Sequence, residues 1–109
     1  MYVIREVMYC KPGKVRALVD KFLAMDAVGV KVGMPRMRIM TDFAAERYWT
    51  LVAEMEVEDL GILEQMMSGT FPAGVDASET KKFEEAMKGY HDLVDHGKRE
   101  LYRVEAGKA

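Results

Sequence analysis

The segment 48–57 constrains the fold more than any other part of the sequence, because apolar and mixed side chains alternate along it. Side chains on a β-strand point to opposite faces in turn. The alternation therefore predicts a strand with one apolar face and one face that mixes aromatic, hydroxyl and carboxylate groups. The apolar face requires helices packed against it, whereas the mixed face requires water or a partner. The apolar row is Trp49, Leu51, Ala53, Met55 and Val57, and the other row is Tyr48, Thr50, Val52, Glu54 and Glu56.

The composition predicts a single globular domain. The chain has 109 residues, of which half are hydrophobic, and a formal net charge of −2. We expect one domain over residues 1–105 and a frayed C-terminus over 106–109. Positive and negative residues are interspersed without a basic block, so the sequence does not predict nucleic-acid binding. The longest apolar runs are far shorter than the roughly 20 residues that a membrane span needs, so we expect no membrane insertion.

The cysteine content predicts the compartment. Cys10 is the single cysteine of the chain, so an internal disulfide cannot form. Cytoplasmic proteins keep their thiols reduced, and we therefore predict a cytoplasmic location. A small, semi-buried apolar role suits this residue better than nucleophilic chemistry.

The order of elements predicts the fold class. Helical periodicity, turn residues and strand alternation give strand, helix, strand, strand, a helix pair and a final strand. This order predicts an α+β ferredoxin-like fold, βαββαβ, with a four-stranded antiparallel sheet and helices on one face. The predicted strands cover 2–10, 36–42, 48–57 and 98–105. The first helix lies between Pro12 and Gly29, the second runs from Glu58 to Gly69, and the third is capped by Asp76 or Ser78 and ends before Gly97.

Three features resemble a known superfamily. They are the opening Tyr-Val-Ile-Arg-Glu-Val that leads into Pro-Gly-Lys-Val, the strand 48–57, and an extra helix before the closing Glu-Leu-Tyr-Arg-Val. With these features the chain resembles the dimeric α+β barrel superfamily, in particular the NIPSNAP-like proteins and the antibiotic-biosynthesis monooxygenases. The resemblance implies two sheets that pack face to face across a two-fold axis, and a small-molecule pocket between each sheet and its helices.

The open sheet face independently suggests a homodimer. Strand 48–57 places Tyr48 and Val52 on the face that lacks helices, and an exposed face with such groups favours association through self-complementary contacts. A hydrated sheet face is the competing interpretation. If Glu54 lies on this face, we expect it to meet Arg38 and either Arg5 or Tyr102.

Two groups of residues are candidates for acid–base chemistry. His91 and Asp95 are four residues apart, so on a helix they could pair as a base and its orienting carboxylate, and Asp92 and His96 have the same spacing. Glu54 is the second candidate, with ion pairing as the alternative. A solvated or helix-capping role is the favoured alternative for His91. No cofactor and no metal site is predicted, since a metal would need further ligands.

A ligand between sheet and helices would contact aromatic and methionine side chains, because methionine adapts to irregular spaces. A Met-rich core without a ligand is the alternative. The candidate ligand contacts are Trp49, Phe22, Phe83, Met87, Tyr90 and Arg38.

Three functions remain open from the sequence. The first is a small cytoplasmic homodimer that binds a small hydrophobic or aromatic molecule. The second is a cofactor-independent monooxygenase or isomerase that uses His91 or a sheet carboxylate as its base. The third is an assembly module with a filled core. Some haem-degrading members of the superfamily use an Asn, a Trp and a His. This chain has no Asn, so that constellation is not carried over.

Overall fold

A computed structural model describes residues 1–68 and 74–107 of the chain. The predicted stop at Gly69, the loop around Pro72 and the last two residues of the predicted frayed end lie outside the described residues. The strands are β1 (Tyr2–Cys10), β2 (Arg38–Thr41), β3 (Thr50–Val57) and β4 (Val94–Arg103), and the helices are α1 (Val15–Lys31), α2 (Gly61–Ser68), α3 (Ala77–Met87) and a 3₁₀ turn (Tyr90–Asp92).

The described strands form one antiparallel sheet in the order β2-β3-β1-β4. The central strand β1 places Ile4 opposite Met55 of β3 and opposite Leu101 of β4. This order and the intervening helices, which lie on one face, confirm the predicted ferredoxin-like α+β fold.

The helix-facing rows of β1 and β3 build the core, as the alternation of the segment 48–57 predicts. Ile4, Leu51 and Ala53 are fully buried. A main core cluster joins β3 to α1 and α3 through Leu18 and Phe83, among others. A smaller cluster of Ile4, Met55 and Val57 packs against Ile62 and Leu63 of α2. The core therefore has two parts, which meet near the middle of the sheet.

The third helix ends earlier than the sequence predicts. Asp76 caps α3 as expected and accepts a hydrogen bond from the backbone N–H of Ser78 at 2.8 Å. The helix stops at Met87, and Gly89 takes a left-handed conformation with φ of 83° just after it. The prediction that Gly97 ends this helix is wrong, because Gly97 lies inside β4 opposite Met8.

Trp49 does not lie in the helix-facing row of β3, contrary to the sequence prediction. Its φ of 60° breaks the strand, and β3 begins at the next residue. The carboxylate of Asp42 accepts a hydrogen bond from the backbone N–H of Thr50 at 2.9 Å, which fixes this junction. As a result the Trp49 side chain is 43% exposed rather than packed in the core. Tyr48 also precedes the strand and is exposed.

The helices of the described part of the chain are all too short or too polar to cross a membrane.

Candidate ligand cavity between sheet and helices

A cavity of about 340 Å³ lies between the sheet and the helices. Its walls come from β1 and β3 below and from α1 and α3 above, and α2 contributes Gln65. The cavity occupies the place where the two core clusters meet, since Ala53 of the first cluster and Met55 of the second both line it. Ligand pockets in proteins start at about 300 Å³, so this space suits a small molecule.

Most of the cavity wall is apolar and rich in sulfur and aromatic rings. Phe22 and Phe83 face it from α1 and α3, and Tyr90 closes one side from the 3₁₀ turn. Thioether side chains adapt their shape to a guest and make favourable contacts with aromatic rings. Within the described residues six methionines line the cavity: Met8, Met25, Met34, Met37, Met55 and Met87.

One wall carries an ion pair inside the layer between sheet and helices. Glu6 lies on the helix-facing row of β1, and Arg99 lies opposite it on β4. The Nε of Arg99 donates a hydrogen bond to Oε1 of Glu6. The Glu6 side chain is 16% exposed and that of Arg99 is 40% exposed, so Glu6 is the inner member of the pair and Arg99 lies nearer to solvent.

A buried carboxylate supports the rim of the cavity. Asp26 of α1 is 9% exposed and lines the space. Its Oδ1 accepts a hydrogen bond from the backbone N–H of Met37 at 2.9 Å, and its Oδ2 accepts one from Nη2 of Arg36 at 3.1 Å. Asp26 thus ties the chain before β2 to α1 and holds Met37 against the cavity.

The structure brings four of the predicted ligand contacts together. Phe22, Phe83, Met87 and Tyr90 all line the cavity, and their contact with a ligand stays a prediction. Trp49 is absent from the described lining, because it lies in the exposed segment before β3.

The predicted candidates Glu54 and Arg38 lie on the opposite, open face of the sheet. Nε of Arg5 donates to Oε2 of Glu54 at 2.8 Å, and Arg38 stands opposite Glu54 in the register of β2 and β3. The hydrogen bond to Glu54 raises the pKa of Arg5 above its ordinary value, with burial acting in the other direction. This geometry favours the ion-pairing interpretation of Glu54.

The predicted helical pair of His91 and Asp95 does not form. His91 lies exposed on the 3₁₀ turn, with its ring 3.9 Å from that of Tyr90, and it does not line the cavity. Asp95 belongs to β4 and its Oδ2 is 3.0 Å from Nδ1 of its neighbour His96. The spacing of four residues has no meaning here because the helix has already ended. Among residues 1–68 and 74–107, no cluster of His, Cys, Asp and Glu side chains suits a metal ion.

Sequence reasoning missed the Glu6–Arg99 pair. The signal is present, because Glu6 alternates in phase with the core residues Ile4 and Met8 on the central strand. A carboxylate in a core row needs a partner. Finding that partner requires the register of β4 against β1. The sequence prediction ran the third helix too far, to Gly97, and therefore started β4 too late to give this register.

The open face of the sheet forms a second, shallower groove of about 470 Å³. Val7 and Val52 lie in it, and the segment 42–49 folds over one end. There the guanidinium of Arg47 lies 4.6 Å from the ring centre of Tyr9 and its Nη1 is 2.6 Å from Nε2 of His96.

Neither a family model nor a curated protein sequence matches the chain. Solved structures do resemble it. A NIPSNAP domain protein from Burkholderia xenovorans matches with a TM-score of 0.71 at 13% identity, over 100% of this chain and 99% of that one. A protein from Nitrosomonas europaea, named provisionally as an antibiotic biosynthesis monooxygenase, matches with a TM-score of 0.66 at 12% identity, over 97% and 100%.

The chain has the fold of these proteins. A NIPSNAP family protein from Agrobacterium tumefaciens matches in the same way, with a TM-score of 0.68 at 8% identity over 94% of this chain and 90% of that one. These matches confirm the resemblance predicted from the sequence. At such identities the likeness concerns the fold and leaves the chemistry of each site to be argued from its own residues.

Proposed function

We propose that this protein binds a small hydrophobic or aromatic molecule in the cavity between sheet and helices. The observation that carries the proposal is the cavity of about 340 Å³ with its lining of methionine and aromatic side chains. A core without a ligand is normally packed to the density of an organic crystal, with few voids larger than water. An assembly module with a filled core is therefore the weaker interpretation.

The monooxygenase or isomerase alternative loses His91 and Glu54, the two bases named from the sequence. His91 lies outside the cavity lining and Glu54 lies on the other face of the sheet, so neither reaches a molecule held among Phe22 and Phe83. A general base must lie within hydrogen-bond distance of the proton that it removes. The geometry thus supports binding over chemistry by these two residues.

Assembly as a homodimer belongs to the same proposal, with the open face of the sheet as the contact surface. In support, several ionisable side chains of this face pair within one chain, as Arg5 does with Glu54 and Lys98 does with Glu100. A second copy would therefore meet a face around Val7 and Val52 on which part of the charge is already neutralised. The cytoplasmic location stays a prediction that depends on the single Cys10.

The binding test uses naphthalene as a rigid apolar probe and protein NMR to follow it. We expect saturable shifts of the amide resonances around the cavity. The variant Ala53→Leu adds volume to the cavity wall and should weaken binding by about tenfold. The control Ala24→Leu makes the same change at an exposed site on α1 and should leave the affinity unchanged. Equal affinities for wild type and Ala53→Leu would contradict the proposal.

A further inference from the structure

We infer that Glu6 and Arg99 select the ligand by recognising a polar group at one end of an otherwise apolar molecule, a group that both donates and accepts a hydrogen bond, such as a hydroxyl. This inference rests on the proposed binding function and names the class of molecule that the cavity prefers. It follows from the position of the pair, the atoms that the pair leaves available, and the balance of its charge.

The position of the pair is unusual for a structural ion pair. Both side chains lie on the helix-facing side of the sheet. There Ile4, in the same row of β1 as Glu6, and Ala53, opposite Glu6 on β3, are fully buried. An exposed ion pair on a strand contributes little to stability. In a buried pair, the free energy of removing both charges from water offsets much of their mutual attraction. A pair that opens onto a cavity has a further use, because a guest can complete its hydrogen bonds.

The hydrogen bond between the two side chains leaves donors and an acceptor available. It uses Nε of Arg99 and Oε1 of Glu6. Within the described part of the chain, no other hydrogen bond engages the terminal nitrogens of Arg99 or the second oxygen of Glu6. A guanidinium has five N–H donors in a planar fork, and a carboxylate accepts on both oxygens. One hydroxyl can therefore accept from Arg99 while it donates to Glu6.

The charge of the pair sets the class of ligand. Glu6 and Arg99 neutralise one another, so the wall attracts neither an anion nor a cation strongly. A neutral group that matches a donor and an acceptor at once fits this wall better than a carboxylate, which the nearby Glu6 would repel. A purely apolar guest would cover the pair and leave its polar atoms without partners, which is unfavourable. The rest of the lining, with Phe22, Met25 and Phe83, requires an apolar body.

The decisive experiment compares naphthalene with 2-naphthol, which differ by one hydroxyl, in NMR titrations of the whole protein. We expect wild type to bind 2-naphthol about tenfold more tightly than naphthalene, because hydrogen bonds to charged groups are among the stronger ones. The double variant Glu6→Met with Arg99→Met removes both charges together and leaves no unpaired ion. It should bind the two compounds equally, and its affinity for naphthalene should be at least that of wild type, because an apolar guest no longer covers unpaired polar atoms.

Two further variants guard against a change in folding. Arg99→Lys keeps a cation beside Glu6 but loses the planar fork, and it should reduce the preference for 2-naphthol without changing naphthalene affinity. Glu79→Met with Lys82→Met removes a partly exposed ion pair of α3, outside the cavity lining, and should keep the wild-type preference.

The outcomes separate the two proposals. Naphthalene binding with an undiminished preference for 2-naphthol in the double variant overturns the role of Glu6 and Arg99, and so does the absence of any preference in wild type. A lack of binding of both compounds to wild type overturns the proposed function and this inference with it. Loss of the hydroxyl preference in the double variant, with naphthalene affinity at or above that of wild type, supports both.

Discussion

Asp26 shows how a single side chain holds the cavity open. It is one of the few buried ionisable groups of the described chain, and its two oxygens accept separate hydrogen bonds. One of these bonds comes from the backbone N–H of Met37, which has no strand partner at that point because β2 begins at the next residue. A buried carboxylate with such partners fixes the chain that approaches β2 and thereby positions a wall of the cavity.

Replacing this carboxylate should destabilise the protein. Asp26→Ala leaves the N–H of Met37 without its partner, and we expect the free energy of unfolding to fall by about 1–3 kcal/mol. Urea denaturation measures the change. The control Asp20→Ala alters an exposed residue of the same helix and should stay within about 0.5 kcal/mol of wild type. Equal stability of both variants would show that the hydrogen bonds of Asp26 contribute nothing.

The thiol of Cys10 should react slowly. It is 6% exposed, and its pKa is raised, first by burial and second by the charge of Asp42. A higher pKa means less thiolate at a given pH, and the thiolate is the reactive form. At pH 8 we expect the native protein to react with Ellman's reagent many times more slowly than the urea-unfolded protein. Equal rates would place Cys10 in solvent.

At the scale of elements, the point where α3 ends and β4 begins decides which residues of β4 lie opposite which residues of β1. The helix stops at Met87, Gly89 reverses the chain, and the strand starts at Val94. The strand then runs far enough to place Arg99 opposite Glu6. Had the helix continued to residue 96, the strand would have begun beyond Gly97 and met β1 over a shorter length.

A substitution at Gly97 tests the pairing of β4 with β1. A Cβ built at this position would lie 2.6 Å from the backbone oxygen of Val7, closer than real atoms approach. Gly97→Ala should therefore push β4 away from β1 and lower the free energy of unfolding by about 1–3 kcal/mol. The exposed change Lys81→Ala, on α3 and away from the sheet, serves as its control, with an effect within about 0.5 kcal/mol. Thermal or urea unfolding that finds Gly97→Ala as stable as wild type would refute this strand pairing.

Elements with a strong period were predictable from the sequence, and their junctions were not. The alternation in β3 and the helical stripe of α1 each repeat over many residues, so the pattern fixes both the type of element and its buried side. The strand β1 was predictable from its enrichment in Val, Ile and Tyr. The end of α3 depends on a choice between Gly89 and Gly97, and both are acceptable stops by local chemistry alone. Trp49 was misplaced for a similar reason, since its alternation with Leu51 looks continuous until the backbone turns at φ 60°.

At the scale of the whole molecule, the open face of the sheet is the surface that remains to be covered. It carries a groove with Val7 and Val52 at its base and paired charges along its walls. An antiparallel sheet tolerates water on one face. The fold therefore does not require a dimer, and two copies pair only if burying this face lowers the free energy. The proposed dimer buries this groove against its own copy.

The mass of the protein particle in solution tests whether the protein is a dimer. Light scattering should give twice the 12.4 kDa of one chain at micromolar concentration. Val52→Lys adds a charge to the base of the open groove and should shift the protein towards single chains. The matched control Leu23→Lys changes an exposed residue of α1 and should remain dimeric. A wild-type mass of one chain would contradict the dimer and leave the cavity proposal standing.

The candidate site was partly visible in the sequence. Phe22 and Phe83 lie on strong apolar stripes, so their place over the sheet follows from periodicity. The unfilled space between them does not, because a cavity reflects how well the side chains of the sheet and of the helices fit together, and no single pattern reports that. The Glu6–Arg99 pair needed the exact partner register of β1 and β4, a long-range property of the fold.

The methionine methyl groups offer the most direct test of the cavity as a binding site. In protein labelled with ¹³C at these methyl groups, titration with naphthalene should move the signals of the methionines that line the cavity. The signals of the exposed Met40 and Met67 should stay in place. Shifts at Met40 or Met67 with the cavity signals unmoved would contradict the account. The methionines expected to respond are Met8, Met25, Met34, Met37, Met55 and Met87.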